Sequence, residues 1–327
     1  MIPNIALLDF GCITLRKSTG MSYAGNHGKH ADMRRRTTGK CGEEKLRMMY
    51  RRNVIATGLQ LGEGCIWDQA RNKVHFVDIE GFTIYSCSLH DGTIEEFNMG
   101  DYVGCIALND QGDLIAAVRN KIIRLNLSTG RQETVMQISL PAYIRFNDGK
   151  LDPSGNLWVG TMAIDQTDPK AHGAGSLYCI KEGRVISKYE GFTISNGLVW
   201  NPSGDKFYHI DTPTQKIDVY DVVEEGVLGN KKTAVSIDEK EGAPDGMCMD
   251  SRGQLWVAMW GGGKVHCYNP DTGAKMKEVL VPDRNVSCCI IGGADKNLLF
   301  VTTAQNEHKN SGKVYMFTRD PIQEEWY

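Results

Sequence analysis

The chain has 327 residues, enough for a sizeable core, and 41% of them are hydrophobic. Its net charge of -3 is unevenly divided, because residues 1–52 hold 11 Lys and Arg against 4 Asp and Glu, and residues 53–327 hold 26 against 36. The acidic body argues against a nucleic-acid partner, and no run reaches the ~18 apolar residues of a membrane span, so we expect a soluble protein with no membrane contact.

Residues 1–52 are basic and lack strand or helix periodicity, which predicts a disordered leader before a single domain at 53–327. A secretory signal does not fit, because Asp9 interrupts the apolar run IALLDFGCITL and no basic residue precedes that run. We expect a cytoplasmic location. The arginines of the leader leave organelle targeting as the alternative.

The 10 cysteines are scattered without C-x-x-C spacing, and several lie inside strand-like runs. We expect them to be reduced and to act as small apolar side chains in an intracellular protein. For the adjacent Cys288 and Cys289, a redox or metal role is the alternative.

From residue 53 onward a polar turn followed by a strand recurs along the chain. The six copies read WDQARNKVHFVD, LNDQGDLIAAV, LDPSGNLWVGT, WNPSGDKFYHID, MDSRGQLWVAM and GGADKNLLFVTT. Further strand-like segments such as TIYSCSL and KIDVYDV lie between the copies. The pattern predicts an all-β fold, a six-bladed β-propeller with four-stranded antiparallel blades. The segment NVIATG is predicted to pair with KVYMF and complete the last blade.

Side chains with oxygen donors recur at one equivalent position of this repeat, which is called its phase below. The position five residues before each turn marker (Asp68, Asp110, Asp152, Asn201, Asp250 and Gly293) is, in chain order, Glu63, Cys105, Asn147, Asn196, Asp245 and Cys288. First strands line a propeller's channel, so these positions converge. Any one Asn-Gly or Asp-Gly pair is explained as a turn, but four donors at one phase predict a site. The carboxylates would repel each other without a counter-charge, so we predict one divalent cation: Ca²⁺ first, with Mg²⁺, Mn²⁺ or Zn²⁺ as alternatives.

Five segments of the body resemble the motifs of the regucalcin / gluconolactonase / luciferin-regenerating-enzyme family. They are LGEGCIW, RFNDGKLDPSGNLWVGTM, ISNGLVWNPSGDKFYHIDT, PDGMCMDSRGQLWVAMWGGGKV and SCCIIGG, and they occur in family order across residues 53–327. The resemblance implies a six-bladed propeller that holds one divalent metal, and several members of the family hydrolyse sugar lactones. It also implies that Glu63, Asn196 and Asp245 are metal ligands and that Asn147 lies at the metal or its water.

The same resemblance implies substrate contacts for Arg145 and Asn147 and a second role for Asp245 as general base. Asp165 takes the position of a substrate-contacting Glu in some members, so its shorter side chain bears on sugar selectivity. Cys65 stands where many members have Pro, a change that we expect to be structural.

These observations predict a metal-dependent hydrolase that opens sugar lactones. The cation would polarise the carbonyl, Asp245 would activate water, and Arg145 would hold substrate hydroxyls or the oxyanion. For Arg145 the alternative is a solvated charge at the channel mouth. Asp148 is expected to bond neighbouring backbone amides.

Three other functions stay open: a calcium-binding regulator without catalysis, a metal-dependent hydrolase of other esters or organophosphates, and a protein-interaction platform. The sequence has no G-x-S-x-G, H-E-x-x-H or P-loop motif that would favour another hydrolase. We expect a monomer or weak dimer whose partner is a small-molecule lactone.

Overall fold

The predicted six-bladed propeller is confirmed. The computed structural model describes residues 51–307 and 311–318, and within them 24 strands form six four-stranded antiparallel sheets. The predicted leader lies outside the described residues, apart from its last two, Arg51 and Arg52, which belong to the first strand. None of the described helices is long and apolar enough to cross a membrane.

Each of the first three blades is a run of four consecutive strands. Blade one contains β2 (Gly62–Asp68), β3 (Lys73–Asp78), β4 (Thr83–Ser88) and β5 (Ile94–Asn98). Blade two contains β6 (Val103–Leu108), β7 (Leu114–Val118), β8 (Lys121–Leu125) and β9 (Gln132–Gln137). Blade three contains β10 (Ile144–Leu151), β11 (Leu157–Ala163), β12 (Gly175–Lys181) and β13 (Arg184–Phe192).

Blades four and five follow the same order, and short 3₁₀ turns lie at Pro169–Ala171, Thr212–Thr214 and Glu239–Glu241. Blade four contains β14 (Ser195–Trp200), β15 (Lys206–Asp211), β16 (Lys216–Glu224) and β17 (Val227–Ser236). Blade five contains β18 (Ala243–Met249), β19 (Leu255–Trp260), β20 (Lys264–Tyr268) and β21 (Lys275–Leu280).

The sixth blade closes the ring with strands from both ends of the described chain. It combines β22 (Val286–Gly292), β23 (Leu298–Thr303) and β24 (Lys313–Thr318) with β1 (Arg51–Thr57) as its outer strand. The register pairs Asn53 with Met316 and Val54 with Tyr315, as predicted from the unpaired NVIATG segment. The closure therefore depends on backbone hydrogen bonds between the two ends.

The repeated turn is held by its acidic residue. In blade three Asp152 Oδ1 accepts from the backbone N–H groups of Ser154 and Asn156 at 2.9 Å, and its Oδ2 accepts from Trp158 Nε1 at 3.0 Å. In blade five Asp250 Oδ2 accepts from the Trp256 indole at 2.9 Å. Because both indoles are buried, each bond satisfies a polar N–H that would otherwise be costly in the core.

In blade two this role belongs to Asn109, whose Oδ1 accepts from the backbone of Gln111 and Asp113 at 3.0 and 2.9 Å. The turn marker is therefore Asn109 and not Asp110. Counted from it, the position equivalent to Glu63 is Gly104, so the assignment of Cys105 to that phase is wrong by one residue.

The core lies between the blades. Six clusters of buried apolar side chains each combine residues from two neighbouring sheets, such as Val77 with Val103, Trp158 with Leu198, and Val265 with Leu299. Burying each sheet face against the next fixes the inner strands around one axis.

Candidate functional site

An irregularity in strand pairing interrupts every inner strand at the predicted donor position or directly beside it. The breaks lie between Glu63 and Ile66, Val103 and Cys105, Phe146 and Gly149, Asn196 and Leu198, Pro244 and Met247, and Val286 and Cys288. A bulge re-aims the side chain that it carries. In each of the six blades, one residue of the inner strand is therefore turned out of the regular alternation of side chains.

The bulges bury five of the predicted residues around the channel. The exposed fractions of the four donors and of the predicted substrate-binding arginine are 7, 6, 5, 5 and 6% for Glu63, Asn147, Asn196, Asp245 and Arg145. Arg145 is therefore no solvated charge at the mouth, and that alternative is wrong.

A chain of hydrogen bonds links the donors of blades three, four and five. Arg145 Nη1 donates to Asn147 Oδ1 at 2.8 Å, and Asn147 Nδ2 donates to the Ser195 carbonyl at 3.1 Å. Asn196 Nδ2 donates to Thr212 Oγ1 at 3.1 Å, and that hydroxyl donates to the Pro244 carbonyl at 2.9 Å. Both amides use their N–H groups on neighbours, so their oxygens are oriented by the fold.

The two predicted carboxylate ligands are strongly perturbed. Burial raises the pKa of Glu63 to about 8, and the nearby Asp148 charge acts in the same direction. Burial raises the pKa of Asp245 well above its usual value, followed by the charges of Glu63 and Asp148. Buried carboxylates whose pKa values are raised by a neighbouring negative charge attract positive charge.

Asp148 contributes more than the sequence indicated. Its Oδ1 accepts from the Gly149 N–H at 2.7 Å, as predicted, but its charge also acts on both Glu63 and Asp245. Lys150, two residues later, donates to the Met247 carbonyl at 3.1 Å and lowers the pKa of Asp148 against the rise caused by burial. The sequence NDGK was the signal from which this role of Asp148 and Lys150 could have been predicted, because a bulge in this segment brings both charges toward the axis.

The donor set fits a divalent cation. Asp245 Oδ1 is buried and has no hydrogen-bond partner among the described residues. An unpartnered buried carboxylate oxygen is costly, and carboxylate and amide oxygens are the ligands that hard cations prefer. A cation held by Glu63, Asn196 and Asp245, with Asn147 beside it, would satisfy that atom.

Asp165 is not drawn into this buried set. It lies exposed on the loop after β11, where its Oδ1 accepts from the backbone N–H and hydroxyl of Thr167 at 2.8 and 2.6 Å. Its substrate contact stays a prediction.

A second group of possible metal ligands lies in blade five and was not foreseen from the sequence. Glu241, His266 and Glu278 place ligand atoms within 4.8 Å of one another. Lys264 and Lys275 already pair with these carboxylates, at 2.7 Å for Lys264 Nζ and Glu241 Oε2. Two ammonium groups would repel a cation there, so this group is better described as an ion-pair network.

Fold and site together define a six-bladed propeller with a buried carboxylate and amide set on its axis. The chain belongs to the SMP-30/Gluconolactonase/LRE-like family, whose model matches residues 61–305. It is 33% identical to regucalcin from Gallus gallus over 253 residues, which cover 76% of this chain and 84% of that protein. It is 31% identical to the putative sugar lactone lactonase YvrE from Bacillus subtilis (strain 168) over 250 residues, 76% and 84% of the two chains.

A solved structure shares the architecture at similar coverage. The calcium-binding protein regucalcin from Agrobacterium tumefaciens str. C58 superposes with a TM-score of 0.75 at 25% identity, covering 83% of this chain and 94% of that one. The predicted family is thus confirmed.

Proposed function

We propose that this protein is a metal-dependent hydrolase that opens sugar lactones. The observation that carries the proposal is the unpartnered Asp245 Oδ1 inside a buried ring of oxygen donors. The putative sugar lactone lactonase among its relatives supports the substrate class. In this proposal Glu63, Asn196 and Asp245 hold the cation and Asn147 lies beside it.

The cation, when bound, would polarise the lactone carbonyl and compensate the charges that raise the pKa values of Glu63 and Asp245. Asp245 would then take the proton of the attacking water on the carboxylate oxygen that does not bind the cation. Arg145, fixed by Asn147 Oδ1 and the Phe146 carbonyl, would direct its other N–H groups at substrate hydroxyls or the developing oxyanion. The ring C–O bond breaks, the departing ring oxygen takes the proton back from Asp245, and a hydroxy acid leaves.

The test is hydrolysis of glucono-1,5-lactone by protein stripped with a chelator and reloaded with Ca²⁺, Mg²⁺, Mn²⁺ or Zn²⁺. We expect turnover that is lost on stripping and returns with at least one metal, Ca²⁺ foremost. Calcium binding without turnover of any lactone would refute the hydrolase proposal.

A calcium-binding regulator is the second candidate, favoured by the calcium-binding relative of known structure. Aromatic lactones and organophosphates in the same assay test the remaining alternative, a hydrolase of other esters. An interaction platform is disfavoured, because it requires no convergent oxygen donors. We also propose that the protein is a monomer or weak dimer in the cytoplasm. The eight buried free thiols among the described residues support the reducing compartment.

A further inference from the structure

Two arginines share one aromatic ring beside the buried site. Tyr102 lies in the loop between β5 and β6, and the guanidinium carbons of Arg119 and Arg145 stand 5.6 and 5.8 Å from its ring centre. The Phe82 ring meets Tyr102 edge-on at 5.1 Å and supports it from blade one. Cation–π contact orients both guanidinium groups.

The backbone holds this arrangement in place. The Arg119 N–H donates to the Tyr102 carbonyl at 2.8 Å, and the Arg119 carbonyl accepts from the Phe146 N–H at 2.8 Å. Arg119 and Phe82 both have a φ of 56°, a left-handed conformation that bulky residues rarely adopt. Arg119 Nη2 also donates to the Ala142 carbonyl. Both residues lie in the tight turns that join neighbouring strands, so their backbone is fixed by the hairpins that carry them.

The charges near this ring are unevenly compensated. Burial lowers the pKa of Arg145 to about 10, the carboxylates of Glu63 and Glu80 oppose the drop, and Arg119 adds to it. A cation bound by Glu63 would neutralise the charge of that carboxylate, which would then no longer compensate Arg145. Asp101 is turned to the backbone, where its Oδ1 accepts from the Tyr102 N–H at 2.8 Å. Exposed Glu80 is then the other carboxylate whose charge acts on the Arg145 guanidinium.

We propose that Arg119 and Arg145, held on the Tyr102 ring, form a subsite for an anionic group that the substrate carries away from its lactone carbonyl. A carboxylate or a phosphate matches the planar donor fork of a guanidinium. This inference rests on the proposed function and narrows its substrates to lactones of sugar diacids or phosphorylated sugar acids. Arg119 is the specificity residue, and Tyr102 is a positioning residue.

The test compares ligands that differ only in remote charge. D-gluconate, D-glucarate and 6-phospho-D-gluconate are titrated into Ca²⁺-loaded protein by calorimetry, and kcat/KM is measured for the corresponding lactones. We expect glucarate or phosphogluconate to bind about tenfold more tightly than gluconate, the scale of a charge-assisted hydrogen bond. The better of the two identifies the anion as carboxylate or phosphate.

Variants separate the charge effect from a structural one. Arg119→Gln should abolish the preference while gluconate binds as before, and Glu80→Gln should widen it. Tyr102→Phe keeps the ring and should retain the preference, whereas Tyr102→Leu should lose it. Equal affinities in the wild type, or an Arg119→Gln loss shared equally by all three ligands, would overturn the inference.

The two proposals fail separately. Hydrolysis of lactones without any charge preference leaves the hydrolase intact and removes the subsite. An Arg119-dependent preference in binding, without turnover of any lactone, leaves the subsite and removes the hydrolase.

Discussion

Asp245→Asn separates the two roles proposed for this carboxylate. The substitution keeps the size of the side chain and one oxygen donor but removes its charge, so the affinity for the cation should fall. In chelated protein the same change reduces the charge repulsion within the buried cluster, where Glu63 and Asp148 both raise the pKa of Asp245. Asn leaves a polar amide at this buried position, so the gain should lie within the about 1–3 kcal/mol that an unsatisfied buried polar group costs, and the melting temperature should rise by at most a few degrees in a domain of this size.

With saturating metal the rate decides between the roles. If Asp245 is also the base, turnover of glucono-1,5-lactone should stay about 10²-fold or more below the wild type, the usual scale for a lost acid–base group. Asp148→Asn is the matched control, because it removes an equal charge from the same cluster but leaves Asp245 in place, and its rate should fall much less. Near-normal turnover by metal-saturated Asp245→Asn would refute the assignment of the base.

Three further predictions concern the metal, pH and the closing strand. Glu63→Gln should weaken Ca²⁺ binding by about tenfold or more, since one compensating charge is lost; unchanged affinity in a titration of chelated protein would remove Glu63 from the site. Because the folded-state pKa of Glu63 is raised from 4.5 to about 8, chelated protein binds the extra proton between these values. The free energy of unfolding of the chelated wild type, minus that of chelated Glu63→Gln, should therefore fall as pH rises from 4.5 to 8. Ca²⁺ should cancel this decline. A difference that rises with pH would contradict the raised pKa of Glu63. Deleting residues 1–50 should leave the thermal melt unchanged, whereas deleting 1–57 removes β1 from blade six and should lower the melting temperature clearly; equal melts would show that the closing strand is dispensable.

The number of blades could be predicted because one residue performs the same task in five of the six repeats. In blades one to five the turn Asp or Asn accepts hydrogen bonds from backbone N–H groups, as Asp152 and Asn109 show, so it recurs at a fixed distance from the channel. In blade six the same position is Gly293. The error at Cys105 arose where two such residues, Asn109 and Asp110, are adjacent. Only the hydrogen bonds distinguish between them.

The rest of the site depends on contacts that no repeat encodes. Tyr102 and Arg119 come from loops of blades one and two and meet Arg145 of blade three through packing. The influence of Asp148 on Glu63 likewise follows from a bulge that turns the side chain toward the axis. Neither the contacts of Tyr102 nor the influence of Asp148 recurs from blade to blade, so neither could be predicted from the spacing of the repeats.

Sterics explain why a sixfold repeat carries donors in only four blades. A Cβ at Gly104 would lie 2.6 and 2.5 Å from the carbonyl oxygens of Phe146 and Asn147, so the bulge that aims Asn147 occupies the space of a donor in blade two. In blade six the equivalent residue is Cys288, which is buried in one apolar cluster with Cys65 of blade one. The glycine at position 104 is thus a condition for the bulge that aims Asn147.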